Sequence, residues 1–200
     1  MNDSAVDART ELQSFLQATG ERYAHYCDLL MRWSRRMNLI GPSEAAQLGE
    51  SQLIDALGFA RCIAPDARCI VDLGSGAGLP GAVLAMARPD WQLHLIEARR
   101  RRAAFLRQVA IELHLDNLSV HSGRAEAFTP RQSVDTIVSR GFGPLARQID
   151  CTRTWWAAET ELITLRGSEE RDPPPDGFAL RCIAHTDGRA FFCVRRASGA

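Results

Sequence analysis

The chain has 200 residues, 46% of them hydrophobic and 24% charged, which fits one globular domain and excludes an intrinsically disordered chain. Its 24 basic residues balance 24 acidic ones, so it is not a nucleic-acid binder that works through global positive charge. Every basic residue is arginine, since lysine does not occur, and this rules out a Walker A phosphate loop and a Schiff-base lysine.

The first segment, "MNDSAVDARTELQ", is polar and has no signal-peptide apolar stretch. No run approaches the roughly 18 apolar residues of a membrane span. A cytoplasmic protein without a membrane partner is expected. Tyr26, Leu30, Trp33 and Met37 recur at i, i+4, i+7 and i+11 and predict one apolar helix face, with Arg32, Arg35 and Arg36 off it. A second helix is expected from Glu44 to Ile63, with Leu53, Ile54 and Leu57 apolar and Ser43 of "GPSEAA" as its N-cap. Residues 1–64 therefore read as an N-terminal helical segment and 65–200 as the core of what is a single domain overall.

From residue 69 the pattern changes. "CIVDL" (69–73), "QLHLIE" (92–97), "LSVHS" (118–122), "VDTIVS" (134–139) and "ELITLR" (161–166) are short and apolar. Helical or loop stretches separate the first four, as a parallel sheet covered on both faces requires. "DPPPDG" at 172–177 marks a turn. After it, "FALRCIAH" and "RAFFCVRR" flank Thr186-Asp187-Gly188 as an antiparallel hairpin. The class is α/β, Rossmann-like, with a mostly parallel seven-stranded sheet that ends in an antiparallel C-terminal strand. Cys27, Cys62, Cys69, Cys151, Cys182 and Cys193 form no C-x-x-C pair, and the five histidines have no ligand spacing. Reduced thiols and no metal are expected. The adjacent indoles of Trp155 and Trp156 cannot face one way on a helix, so core packing is expected of them rather than base stacking.

"CIVDLGSGAGLPGAVLA" (69–85) allows two readings. Gly76, Gly78 and Gly81 spell G-x-G-x-x-G, the loop of dinucleotide-binding oxidoreductases. Asp72, Gly74, Gly76 and Gly78 spell D-x-G-x-G-x-G. A carboxylate at Asp72 repels a pyrophosphate and suits a cationic ligand. Pro80 removes one N–H from the helix start that a phosphate would use. Glu97 ends the next strand, where an acid holds ribose hydroxyls in either reading. Asp72 and Pro80 favour S-adenosylmethionine, which carries a sulfonium and an amino-acid tail but no phosphate.

"VDLGSGAGLPG", "LIEARRRRAAFLRQVA", "GRAEAF" and "VSRGF" together resemble the small-subunit ribosomal RNA methyltransferase G family, also called glucose-inhibited division protein B, over about residues 33 to 167. The resemblance implies a class I methyltransferase fold behind a helical segment. It implies transfer of the methyl group of S-adenosylmethionine to N7 of a guanine in 16S rRNA, within the small ribosomal subunit; a monomer is expected. It also implies roles for residues: Gly74 and Leu79 line the cofactor and Glu97 holds the ribose. Ala125 and Glu126 contact the adenine side. Arg140 faces the cofactor or target pocket as the candidate catalytic residue. Arg32, Arg35 and Arg36, with Arg101 and Arg102 of the run Arg99 to Arg102, become candidates for rRNA phosphate, as does Arg166, which keeps the charge of the family's "L-K-G".

Guanine N7 carries a lone pair and no proton, so its methylation needs no general base. This agrees with a chain showing no Ser-His-Asp, Cys-His or paired-carboxylate constellation. The sequence departs from the family at "WSRRMNLI", which keeps Trp33, Asn38 and Leu39 but has Ser34 and Ile40, and at "SQLIDA", which keeps Asp55 but lacks the basic pair and the serine. Two alternatives remain at this point: an NAD(P)-dependent oxidoreductase using the glycine loop, and a non-catalytic RNA-binding relative of the methyltransferase.

Overall fold

The computed structural model describes residues 3–37, 39, 50–169, 172–186 and 188–197, and of residues 3–8 and 37 the backbone alone. Two helices come first, α1 (Asp3–Met37) and α2 (Glu50–Cys62). Then follow β1 (Cys69–Leu73), α3 (Gly81–Ala87), β2 (Gln92–Glu97), α4 (Arg100–Glu112) and β3 (Leu118–Ser122). The chain continues through β4 (Thr136–Arg140), α5 (Leu145–Thr152), β5 (Glu161–Gly167), β6 (Phe178–Thr186) and β7 (Arg189–Arg196). The cap Ser43, the helix start at Glu44, Asn38, Ile40 and the turn residue Asp187 lie outside the described residues.

One sheet holds all seven strands in the order β3-β2-β1-β4-β5-β7-β6. Strands β1 to β5 are parallel, and β7 lies antiparallel between β5 and β6. The order reverses between β1 and β4, so the loops that leave these strands diverge at the carboxyl edge and open a crevice there. This is the expected architecture, down to the C-terminal hairpin. Strand β4 starts at Thr136 rather than Val134, and Asp135 just before it ties the sheet to the approach of β1. Its Oδ2 accepts from the backbone N–H of Arg68 at 2.7 Å and of Cys69 at 2.8 Å, pinning the start of β1.

Strand β1 is buried throughout, as a central strand covered on both faces must be. Its alternation sends Ile70 into a helix-rich core with α1 to α4, and Cys69, Val71 and Leu73 into a second core beneath α5. On α1, Tyr26 and Leu30 are buried as their spacing predicts, and Trp33 packs against Phe105 of α4 with ring centroids 5.6 Å apart. Trp155 and Trp156 are both buried, and their indole N–H groups donate to Ala125 O (3.1 Å) and Thr160 O (2.9 Å). All six cysteines are free thiols.

Helix α2 is enclosed on most of its circumference, burying even Gln52 and Asp55. Gly58 lets it approach the sheet, for a Cβ there would lie 2.5 Å from Cζ of Phe191, itself 1% exposed on β7. Alanine at this site gains about 1 kcal/mol as a helix former but overpacks a closed core, at a cost of about 1–3 kcal/mol. Gly58→Ala is therefore expected to lower the urea midpoint at an unchanged m-value, and a midpoint at or above that of the wild type would contradict the close packing.

Candidate functional site

The crevice is floored by the loop between β1 and α3. Gly74, Gly76 and Gly78 take φ of 73°, 55° and 96°, values open to glycine and costly for most other residues. A Cβ at Gly74 would lie 2.4 Å from the ring of Phe142, and one at Gly78 would lie 3.0 Å from Leu106. At Gly76 the space is open, with Arg102 Nη1 3.5 Å from the Cβ position as the nearest atom. The loop is thus closed against protein at its ends and open at Gly76. Leu79 is buried in the helix-rich core and does not reach the open side.

Asp72 lies under this loop, 1% exposed. Its Oδ2 accepts from Gly81 N–H at 3.0 Å, and its own carbonyl receives the Ser75 hydroxyl at 2.9 Å. The carboxylate therefore holds the start of α3 rather than meeting a ligand directly. Pro80 is the N-cap and has no N–H, Gly81 N–H is taken by Asp72, and Ala82 N–H is taken by Gly78 O at 2.7 Å. With Pro80 lacking an N–H, the Gly81 and Ala82 donors satisfied and a carboxylate beneath them, this helix start is a poor seat for a phosphate. This geometry disfavours the dinucleotide reading of the loop. Burial pushes the Asp72 carboxyl up to about 7, against the lowering effect of its hydrogen bond from Gly81.

Glu97, 6% exposed, joins the loop to α4. Its Oε2 accepts from Gly76 N–H at 2.9 Å and its Oε1 from Arg99 N–H at 2.8 Å. It thus pairs with the Arg99 backbone and not with a guanidinium of the arginine run. Each carboxylate oxygen has a second lone pair for a further donor. Beyond β3, Ala125 is buried at the start of a short 3-10 turn and Glu126 beside it is exposed.

Arg140 ends β4 and faces Asp55 of α2, with Nη1 3.7 Å from Oδ2. Arg189 of β7 also donates to that oxygen. The Asp55 side chain is 2% exposed, and two guanidinium groups offset the cost of burying its carboxylate. Tyr26 of α1 donates its hydroxyl to Ala77 O at 2.9 Å, directly supporting the glycine loop. Neither Tyr26 nor Asp55 was given a role by sequence reasoning. An acid inside the apolar string "LIDAL" was the available signal for Asp55, while Tyr26 was indistinguishable from a core aromatic.

The arginines expected at RNA separate into two groups. Arg35 and Arg36 are exposed, and Arg32 lies 3.7 Å from Glu112 with its side chain 61% exposed. Together with Trp33, Gln108 and Glu112 they line a cleft of about 530 Å³ between α1 and α4. Arg101 is exposed and Arg102 half-buried beside Gly76. Arg166 differs: its side chain is 9% exposed, its Nη2 meets Asp172 Oδ2 at 2.7 Å, and its Nη1 donates to Gly143 O at 3.1 Å. It holds the loop after β4 in place instead of presenting charge outward. Among the described residues no group of His, Cys, Asp and Glu is arranged to hold a metal, and no helix is long and apolar enough to cross a membrane.

Comparison with known proteins agrees with this architecture. Residues 20–174 match the family model described as rRNA small subunit methyltransferase G. The chain is similar to the ribosomal RNA small subunit methyltransferase G of Laribacter hongkongensis, 38% identical over 160 residues that cover 78% of this chain and 76% of that one. It is similar to that of Chromobacterium violaceum at 35% over 163 residues, covering 80% and 78%. Among solved structures it resembles a SAM-dependent methyltransferase from Aquifex aeolicus, with TM-score 0.59 and 17% identity over 78% of this chain and 97% of that one. It also resembles a variant of MtNAS in complex with S-adenosylmethionine, with TM-score 0.63 and 14% identity over 92% and 78%.

Asp72 gives the fold a pH dependence of a particular sign. Its folded value lies above the unfolded one, so the folded protein retains a proton that the unfolded chain releases between pH about 4 and about 7. Stability therefore falls as pH rises through that window, by a charging cost on the order of 4 kcal/mol. In Asp72→Asn an acceptor for Gly81 N–H remains and the charge is gone, but a buried amide NH₂ costs about 1–3 kcal/mol. The variant is expected to be less stable than the wild type near pH 4.5 and more stable near pH 8, by urea unfolding across pH. Parallel curves would contradict the charging cost.

Proposed function

Because the chain belongs to the ribosomal RNA small subunit methyltransferase G family, we propose that it methylates N7 of a guanine in 16S rRNA, using S-adenosylmethionine, as a cytoplasmic monomer acting on the small ribosomal subunit. Its N-terminal helical segment (1–64) and methyltransferase core (65–200) serve one site. The observation that carries this reading is the glycine loop: open at Gly76, flanked by Glu97, and with a helix start already occupied by Asp72. These residues fit a cofactor that has ribose hydroxyls and positive charge but no phosphate.

When bound, the cofactor supplies a methyl group on a sulfonium: the N7 lone pair forms the new N–C bond, the S–C electron pair returns to sulfur, and the positive charge passes to the purine. The protein's part is to bind, align and exclude water. Gly74, Gly76 and Gly78 let the backbone approach, and Glu97 accepts from the ribose. Leu79 closes the loop from beneath, while Ala125 and Glu126 border the adenine side. Asp72 contributes a nearby carboxylate that favours a cation without touching it. Arg140 serves as a positioning residue, because Asp55 screens its guanidinium from the charge developing on the purine. No proton has to be removed from N7. The pairing of Arg140 with Asp55 and of Arg166 with Asp172 suits a site that does no general-base work. Arg32, Arg35, Arg36, Arg101 and Arg102 meet rRNA phosphate, and Arg166 supports that surface from within.

Gly76→Asp places a side chain in the open part of the loop and a second carboxylate beside Glu97. Calorimetric titration with S-adenosylhomocysteine is expected to show at least a hundredfold loss of affinity in this variant, while NADH binds neither protein. Unchanged affinity would refute the loop assignment. Nucleoside mass spectrometry of 16S rRNA from a deletion strain is expected to show 7-methylguanosine lowered by one residue per molecule and restored by the intact gene. An unaltered level would remove the N7 assignment.

A further inference from the structure

A second cavity, of about 400 Å³, lies where β4 and β5 end, beside the glycine loop. Phe142, Gln148, Thr164, Leu165, Arg166 and Asp172 line it. Phe142 belongs to both places, since it bounds this cavity and its ring packs on Gly74. The residues on either side of it, Gly141 and Gly143, take φ of 69° and 118° with open space at their Cβ positions. The backbone conformation alone therefore demands glycine there, and it holds Phe142 between cofactor loop and cavity.

The cavity wall is built to discriminate. Gln148 on α5 is 1% exposed. Its Nε2 donates to Gly143 O at 2.8 Å, which fixes the amide orientation and leaves Oε1 as an acceptor. That Oε1 is buried and has no hydrogen-bond partner among the described residues. A buried acceptor without a donor is rare and invites one from a ligand. The Arg166–Asp172 pair adds no net charge to the wall, as suits an aromatic base that becomes cationic on methylation. The volume accommodates a purine between these groups and the Phe142 ring.

We infer that this cavity receives the target guanine, with Gln148 Oε1 accepting from its 2-amino group and Phe142 as the ring that stacks on it at the edge of the glycine loop. Guanine carries that amino group, inosine lacks it, and adenine has its amino group at the opposite end of the edge and an acceptor at N1. Gln148 is thereby a specificity-determining residue. The inference rests on the proposed methyl transfer to small-subunit rRNA, but not on N7 as the atom methylated.

The test uses small subunits reconstituted with unmodified RNA, radiolabelled S-adenosylmethionine, and the wild type, Gln148→Leu, Gln148→Met and Phe142→Leu proteins. Melting temperature and S-adenosylhomocysteine affinity identify variants that have lost the fold. With adenine or inosine at the methylated position, wild-type kcat/KM is expected to fall at least tenfold, the loss of one hydrogen bond to a site built for it. In Gln148→Leu, or in Gln148→Met if the leucine variant does not fold, activity on guanine is expected to drop and the discrimination to shrink towards unity. Phe142→Leu is expected to lower kcat while S-adenosylhomocysteine affinity changes less than fivefold. Full discrimination in the folded Gln148 variants, or none in the wild type, overturns the inference. Mass spectrometry of the product separates the two claims. A guanine methylated at another atom removes the N7 reading and keeps the guanine cavity, whereas a methylated adenine or pyrimidine overturns the cavity assignment. If no nucleotide is methylated although S-adenosylhomocysteine binds, the proposed function fails. Calorimetric titration of the S-adenosylhomocysteine complex with guanosine and inosine monophosphates then tests the cavity alone, and equal affinity or no binding overturns it.

Discussion

The hydrogen bond from the Gly81 amide to the buried Asp72 carboxylate ties the end of β1 to the start of α3 across the glycine loop. The loop's shape follows from that short connection. With both ends held, the chain between them must turn through three left-handed glycines, and Ser75 and Glu97 then fasten the turn to β1 and β2. The same bond sets the electrostatics, because it uses a helix N–H that a phosphate would otherwise claim. Burying a carboxylate to do this is costly, and the same desolvation pushes its pKa up.

Charge at the carboxyl edge is organised in pairs. Arg140 and Arg189 share Asp55, and Arg166 is joined to Asp172. Guanidinium suits such partners because its fork of donors can answer a carboxylate and a backbone carbonyl together, as Arg166 does with Asp172 and Gly143. These guanidinium groups are thereby tied to carboxylates, while Arg35, Arg36 and Arg101 remain exposed on the outer surface.

The sheet was legible in the sequence because its strands are short apolar runs and "CIVDLGSGAGLPG" marks the first crossover. The hairpin was legible from "DPPPDG" and "TDG". Roles that depend on contacts between distant segments were less legible. Asp72 was read as a ligand group for a cation, because its position at a strand end carries no sign of whether the side chain faces crevice or core. Arg166 was read as a phosphate contact for its charge alone, and only the fold brings it to Asp172. Tyr26 and Asp55 sit in helices whose apolar pattern is satisfied by packing, which conceals a second purpose. Gln148, one polar residue on a short amphipathic helix, looks from sequence like any solvated glutamine, although it is buried.

The Asp55 carboxylate is answered by an arginine 134 positions later, in the last strand of the sheet. Synthesis proceeds from N- to C-terminus, so α2 and four-fifths of the sheet exist before that partner has been made. Until β7 inserts between β5 and β6, the carboxylate under Arg140 lacks Arg189 and the helix bearing it has no Phe191 to rest on. A nascent chain that lacks this strand therefore holds the residues of the glycine loop before it holds the strand that joins β5 to β6.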